Sequence, residues 1–182
     1  MLLLCGLGNV GKQYSNTRHN AGFLFLESLT QEWDLSFKNF KHLYCEIAKA
    51  FLQDMEILFI KPTTFMNNSG TAILSTMKYY KIAKPELLVV HDDLDLPLGS
   101  IKVKFGGGSA GHNGIKSIDS VLGNEYWRMR IGIGKPDRED ASVLDHVLGN
   151  FSNAELVQIE EVMSNCKKHF ADFVLKAKSN SK

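Results

Sequence analysis

The feature that most constrains this fold is Leu87-Leu88-Val89-Val90, an unbroken apolar run between Glu86 and the polar trio His91-Asp92-Asp93. A strand with one wet face would carry a polar residue at every second position. An uninterrupted run requires cover on both faces of the sheet, which helices supply. The rest of the chain has the elements to do this. Met1–Cys5 reads as a second buried strand, ending in a glycine turn. Asn20 stands where it can cap a helix whose Phe23, Leu26, Leu29 and Trp33 fall at helical spacing. Leu43–Ala50 and Glu56–Ile60 read as strands joined by a polar turn at Gln53 and Asp54, which implies one antiparallel pair. Ser69 starts a second helix that runs to about Tyr80. Ile101–Phe105 and Tyr126–Ile133 are further strands, and between them Asn113–Leu122 forms a helix stopped by Gly123. Ser152 and Glu155 make a capping box for the last helix, with a core stripe of Leu156, Ile159, Met163, Cys166, Phe170 and Phe173. The expectation is an α/β protein: a single domain over residues 1–182, with a twisted, mixed but mostly parallel sheet and helices on both faces.

Composition narrows the function classes. The chain has 182 residues, 44% apolar and 23% charged, which suits one globular core. No apolar run approaches the ~20 residues that span a bilayer, and MLLLC is too short for a signal-peptide core. Three cysteines, Cys5, Cys45 and Cys166, follow no metal-ligand spacing and read as structural thiols in a reduced cytoplasm. Net charge is +1, but Leu96–Arg138 holds seven basic residues (Lys102, Lys104, Lys116, Arg128, Arg130, Lys135, Arg138) against three acids. A local basic patch in an otherwise acidic chain suits contact with one cluster of phosphates rather than the coating of long nucleic acid.

An open parallel sheet places its site beyond the carboxyl ends of its strands. Three polar segments fall there: the loop with Asn9, the loop Thr63–Asn68, and Asp92–Asp93. Gly6–Gly11 satisfies G-x-G-x-x-G, but nine polar and turn-forming residues follow it where a dinucleotide loop would open a helix at once. It reads instead as a loop bringing Asn9 and His19 to a strand end. His19 is the best acid–base candidate, with Asp92 to orient it. No Ser, Thr or Cys lies in a nucleophile-elbow pattern, so activated water is favoured over an acyl-enzyme. Asn67, Asn68 and Asn113 supply loop amides that can hold a carbonyl or an oxyanion, although Asn113 also fits a helix cap. Phe105–Gly114 (FGGGSAGHNG) allows close backbone approach before a helix start. His91, Asp92, Asp93, Asp95 and His112 are metal-ligand types, but they lack HExxH or paired-histidine spacing.

Together, GLGNVGKQYSNTRHNAG, KPTTFMNNSG, HDDLDLPLG, KFGGGSAGHNG and RMRIGIGKP resemble the bacterial peptidyl-tRNA hydrolase family, in order, from Met1 to about Phe151. The resemblance implies a monomeric, cytoplasmic enzyme that frees tRNA from the peptide of a prematurely released peptidyl-tRNA, without metal or organic cofactor. It assigns the catalytic histidine to His19 and its carboxylate partner to Asp92. Asn9, Asn67 and Asn113 become the amides of the peptide and acceptor-end site, Tyr14 and Met66 its walls, and Lys104 and Arg130 the contacts to a tRNA phosphate. Two departures stand out. Val10 replaces a usual proline, which is expected to loosen the turn presenting Asn9. Ala110 replaces a usual glycine, which is expected to narrow the backbone approach before His112.

Overall fold

The computed structural model describes residues 1–136 and 141–179, so Asp137 and Arg138 of the basic segment lie outside the described residues. Among the described residues, seven strands form one sheet: β1 (Leu2–Gly6), β2 (Lys38–Phe40), β3 (Cys45–Leu52), β4 (Met55–Pro62), β5 (Leu87–Asp93), β6 (Ile101–Phe105) and β7 (Trp127–Gly132). Their spatial order is β2-β3-β4-β1-β5-β7-β6. The four central strands β4, β1, β5 and β7 run parallel. The antiparallel pairs lie toward the edges: β2 on β3, β3 on β4, and β6 on β7. One antiparallel pair was expected, and the hairpin at Gln53–Asp54 is that pair. Both turn residues are left-handed, with φ of 51° and 64°, as a two-residue hairpin turn requires.

Side-chain alternation along the central strands builds two cores. Leu2, Leu4, Phe59, Leu88, Val90 and Ile131 face α1 (Ala21–Glu32) and the long α5 (Asn153–Ser179). Leu3, Cys5, Leu58, Ile60, Leu87 and Val89 face α2 (Ser69–Tyr80) and α3 (Asn113–Leu122). The apolar run at Leu87–Val90 is therefore covered on both sides, as its sequence demanded. Leu4 and Phe59 are wholly buried, and cutting such a side chain back to alanine costs about 2–5 kcal/mol.

Two elements escape the sequence pattern. β2 is a three-residue edge strand, Lys-Asn-Phe, with two exposed positions, so it shows no alternation to read. It exists because β3 offers it an unpaired edge. The other is α4 (Val143–Leu148), six residues long and too short to show a helical period.

Candidate active site

β1, β4 and β5 are neighbours and parallel, so Gly6, Pro62 and Asp93 end on the same side of the sheet. The loops after them meet there. The glycines of the first loop serve backbone packing. A Cβ on Gly6 would lie 2.3 Å from the Gly22 carbonyl oxygen, and one on Gly22 would lie 2.4 Å from that of Val90. The start of α1 therefore rests backbone-on-backbone against the ends of β1 and β5. That contact sets the preceding 3-10 turn, Arg18–Asn20, above Asp92.

His19 is buried, and its Nδ1 lies 3.0 Å from both carboxylate oxygens of Asp92. A carboxylate only accepts, so Nδ1 carries the proton and Nε2 keeps its lone pair. Burial pulls the His19 pKa down, but the charge and hydrogen bond of Asp92 outweigh it and leave the pKa above its ordinary value. Asp92 is also buried; that raises its pKa, but His112 and His19 reverse the effect and hold it well below the usual carboxylate range.

His112, weighed from sequence only as a metal-ligand type, is a second partner of Asp92. Its Nε2 lies 2.9 Å from Asp92 Oδ1, while its Nδ1 accepts from the backbone N–H of Gly114 and Ile115 at 3.1 and 3.3 Å. His112, rather than Asn113, thus caps α3, which leaves the Asn113 amide out of the cap. With two N–H groups aimed at Nδ1, the single proton of a neutral ring must sit on Nε2, donated to Asp92. The signal available in the sequence was a histidine immediately before a helix start. His91 lies beneath, donating Nδ1–H to the Asp92 carbonyl at 2.7 Å; burial, aided by His112, pushes its pKa down to about 3.

The proton on His112 also bears on how well this cluster suits a metal ion. Among the described residues, His19, Asp92 and His112 form a cluster whose donor atoms lie within 4.8 Å of one another. To ligate an ion through Nε2, His112 would have to move its proton to Nδ1, against two backbone donors. The donor set therefore fits a hydrogen-bond network better than a metal centre.

Asn9 is braced on both sides. Its N–H donates to Asn20 Oδ1 at 2.8 Å and its carbonyl accepts from Asn20 Nδ2 at 3.0 Å. Asn20 therefore spends its side chain on this brace and does not cap α1, contrary to expectation. The brace holds the Asn9 turn with Val10 in place of proline. Asn9 Oδ1 accepts from Met66 N–H at 3.1 Å, so the amide is oriented with Nδ2 left as its donor. Met66 is buried, and its Sδ would lie 2.6 Å from a Cβ on Gly114, next to His112. A cavity of ≈ 330 Å³ is lined by His19, Asp92, His112, Asn113 and the apolar Val143 and Leu144 of α4. Tyr14 and the exposed Asn67 stand on the flanking 3-10 turns Lys12–Tyr14 and Met66–Asn68.

The basic residues share one face of the β6–β7 pair. Lys102 lies opposite Arg130 and Lys104 opposite Arg128. Lys104 and Arg130 are therefore diagonal neighbours on the same face rather than a directly opposed pair. Arg130 Nε donates to Asp93 Oδ2 at 2.5 Å. Arg128 is 1% exposed and tied to Asp119 and the Gly108 carbonyl, so it belongs to the core. The Lys104 chain folds across Gly107, whose φ is +106°. Ala110, at the glycine-replacing position, is left-handed with φ 47°; for a residue with a Cβ this costs about 1–2 kcal/mol.

The family model described as peptidyl-tRNA hydrolase matches residues 3–182. The peptidyl-tRNA hydrolase of Rickettsia bellii (strain RML369-C) is 46% identical over 170 residues, covering 93% of this chain and 91% of that protein. That of Rickettsia canadensis (strain McKiel) is 44% identical over 178 residues, covering 98% and 95%. Among solved structures, peptidyl-tRNA hydrolase from Acinetobacter baumannii superposes with a TM-score of 0.90 at 32% identity, covering 100% of this chain and 91% of that one.

Proposed function

The chain belongs to the peptidyl-tRNA hydrolase family and is a hydrolase acting on the ester bond between peptide and tRNA; we propose that it cuts this bond with water activated by His19. The observation that carries the reading is the contact of His19 Nδ1 with both oxygens of Asp92. It leaves Nε2 as a free base whose strength is increased by the carboxylate. Water gives a proton to Nε2 as its oxygen attacks the ester carbonyl. The carbonyl oxygen becomes an oxyanion, and the oriented Nδ2 of Asn9 donates to it. When the tetrahedral intermediate collapses, the bond from the carbonyl carbon to the terminal ribose oxygen breaks, and His19 gives its proton to that oxygen, which leaves as the free tRNA hydroxyl. Asp92 stays ionised throughout and stabilises the imidazolium.

Asn67 and Asn113 hold the peptide and acceptor end, with Tyr14 and Met66 as walls. Lys104 and Arg130 hold a tRNA phosphate, a contact that positions the substrate without reading bases. The natural substrate is peptidyl-tRNA released prematurely from the ribosome, and its cleavage returns the tRNA to use. The enzyme works as a cytoplasmic monomer with no metal or organic cofactor. In support, none of the described helices is long and apolar enough to cross a membrane, and the three cysteines are buried free thiols.

Turnover of an N-acylated aminoacyl-tRNA, compared with a small generic ester, tests the reading. Chelator-treated enzyme should hydrolyse the tRNA ester at full rate and the generic ester far more slowly. Equal rates on both esters would make it a general esterase. Activity lost to EDTA and restored by a divalent ion would overturn the metal-free mechanism.

A further inference from the structure

Arg18 precedes the catalytic histidine by one residue, yet its side chain fastens a different part of the molecule. Nη1 donates to the carbonyls of His146 and Asn150 at 3.3 and 3.1 Å, and Nη2 donates to both carboxylate oxygens of Glu155 at 2.9 and 2.8 Å. The guanidinium carbon lies 5.5 Å from the centre of the Phe151 ring. The backbone joins in. Arg18 N–H donates to the Gly149 carbonyl and Phe151 N–H to the Asn16 carbonyl, both at 3.0 Å, and Thr17 and Asn150 form an antiparallel bridge. Glu155 is itself fixed by its capping box, accepting from Ser152 N–H at 2.7 Å.

All these bonds converge on the carboxyl end of α4 and the start of α5. A six-residue helix is too short to be stable by itself, and of its residues only Val147 is buried in the core. Its last carbonyls need donors, and a cation at that end also suits the helix dipole. Arg18 supplies both. The other side of α4 matters for chemistry, because Val143, Leu144 and Val147 line the cavity that holds His19 and Asp92.

We infer that Arg18 and Glu155 are positioning residues that lock the apolar wall of α4 to the turn carrying His19. The inference rests on His19 acting as the base. One arginine joins wall and base through adjacent residues, so the substrate's ester meets both in a fixed relative placement. Loss of the lock lets α4 drift from the cavity, which misplaces the ester and admits bulk water. It leaves the phosphate contacts on β6 and β7 untouched.

The test is Glu155→Gln, which keeps the capping box but removes the charge that Arg18 holds. On N-acylated aminoacyl-tRNA, kcat should fall between about 5- and 100-fold, the range for misplacement without loss of a reacting group, while KM stays near the native value. Arg18→Lys, which cannot serve all these acceptors at once, should do the same. The rescue is covalent. Thr17 and Asn150 form a non-hydrogen-bonded antiparallel pair, where Cα atoms stand about 4.5 Å apart, within reach of a disulfide. Thr17→Cys with Asn150→Cys, oxidised, should restore kcat to the Glu155→Gln chain, and reduction should abolish the rescue. Native kcat in both charge variants would overturn the inference, as would a cross-linked Glu155→Gln chain that stays impaired. Inactivation of the otherwise native chain by the cross-link would also overturn it, since α4 would then have to leave the turn in each cycle. If His19 were not the base, His19→Ala would retain activity whatever the outcome at Glu155, so the two failures are distinguishable.

Discussion

At the carboxyl ends of β1, β4 and β5, a cavity of ≈ 330 Å³ gathers His19, Asp92, Asp93 and His112. At the opposite end of the same sheet, a cavity of ≈ 290 Å³ lies against α5, walled by Leu2, Met55, Val103, Trp127 and Phe173 with charged groups such as Glu86 and Lys176 among its lining. Volume does not separate them. The difference is that the first holds a buried carboxylate shared by two imidazoles, whereas Glu86 in the second pairs with the exposed N-terminal ammonium. In a parallel sheet every central strand delivers its following loop to one end. Polar groups distant in sequence meet there, and the other end is left to close the core.

The sharpest break between the ends should come from His19→Ala. It should lower kcat by at least about 10²-fold, the lower range for a positioned acid–base group, with the far-UV circular dichroism unchanged. Near-normal turnover would make the polar end merely structural. A smaller effect, on KM rather than kcat, is expected from Lys104→Ala or Arg130→Ala. Each should flatten the salt dependence by about one unit of slope or less. Removing the substrate's 5′ phosphate should mimic the defect in the native enzyme and add little to either variant. If both variants respond to dephosphorylation as strongly as the native enzyme does, the phosphate contact moves to Lys102, directly across from Arg130, or to Lys116.

At the other end, Phe173→Leu should leave kcat unchanged while lowering stability by about 1–3 kcal/mol. A matching fall in kcat, seen at a temperature where the variant is fully folded, would show that the two ends are coupled. The smallest effect is Ala110→Gly. Relief of the left-handed alanine should raise stability by about 1 kcal/mol, read as a rise in Tm, with kcat unchanged. A loss of stability would mean that the alanine methyl makes a packing contact outweighing its backbone strain.

The elements readable from sequence were those with a local cause. Leu87–Val90 announced a doubly covered strand, Ser152 and Glu155 announced a helix start, and the polar loops after β1, β4 and β5 announced which segments would meet at one end of the sheet. What escaped depends on partners far along the chain. Asn20 looks like a cap but is drawn eleven residues back to brace Asn9. Asn113 sits where a cap is expected, but His112 takes the role and with it a second hold on Asp92, twenty residues away. Arg18 reads as one more polar loop residue, and Glu155, over a hundred residues on, gives it meaning. Arg130 was legible as a cation but not as the partner of Asp93. No local periodicity encodes such pairings, since each arises only after the sheet has set its strand order.

The central claim is that Asp92 makes His19 the base, and the pH dependence of kcat/KM tests it most directly. Activity needs Nε2 unprotonated, so it must fall as pH drops through the His19 pKa. In the native enzyme that pKa stands above its ordinary 6.5 because the Asp92 carboxylate overcomes the effect of burial. In Asp92→Asn the carboxylate is gone and burial remains, so the acid limb should move to lower pH while the plateau rate drops and KM changes little. An acid limb that stays in place in Asp92→Asn, or a variant that binds weakly yet turns over at the native kcat, would contradict the account and make Asp92 a substrate contact.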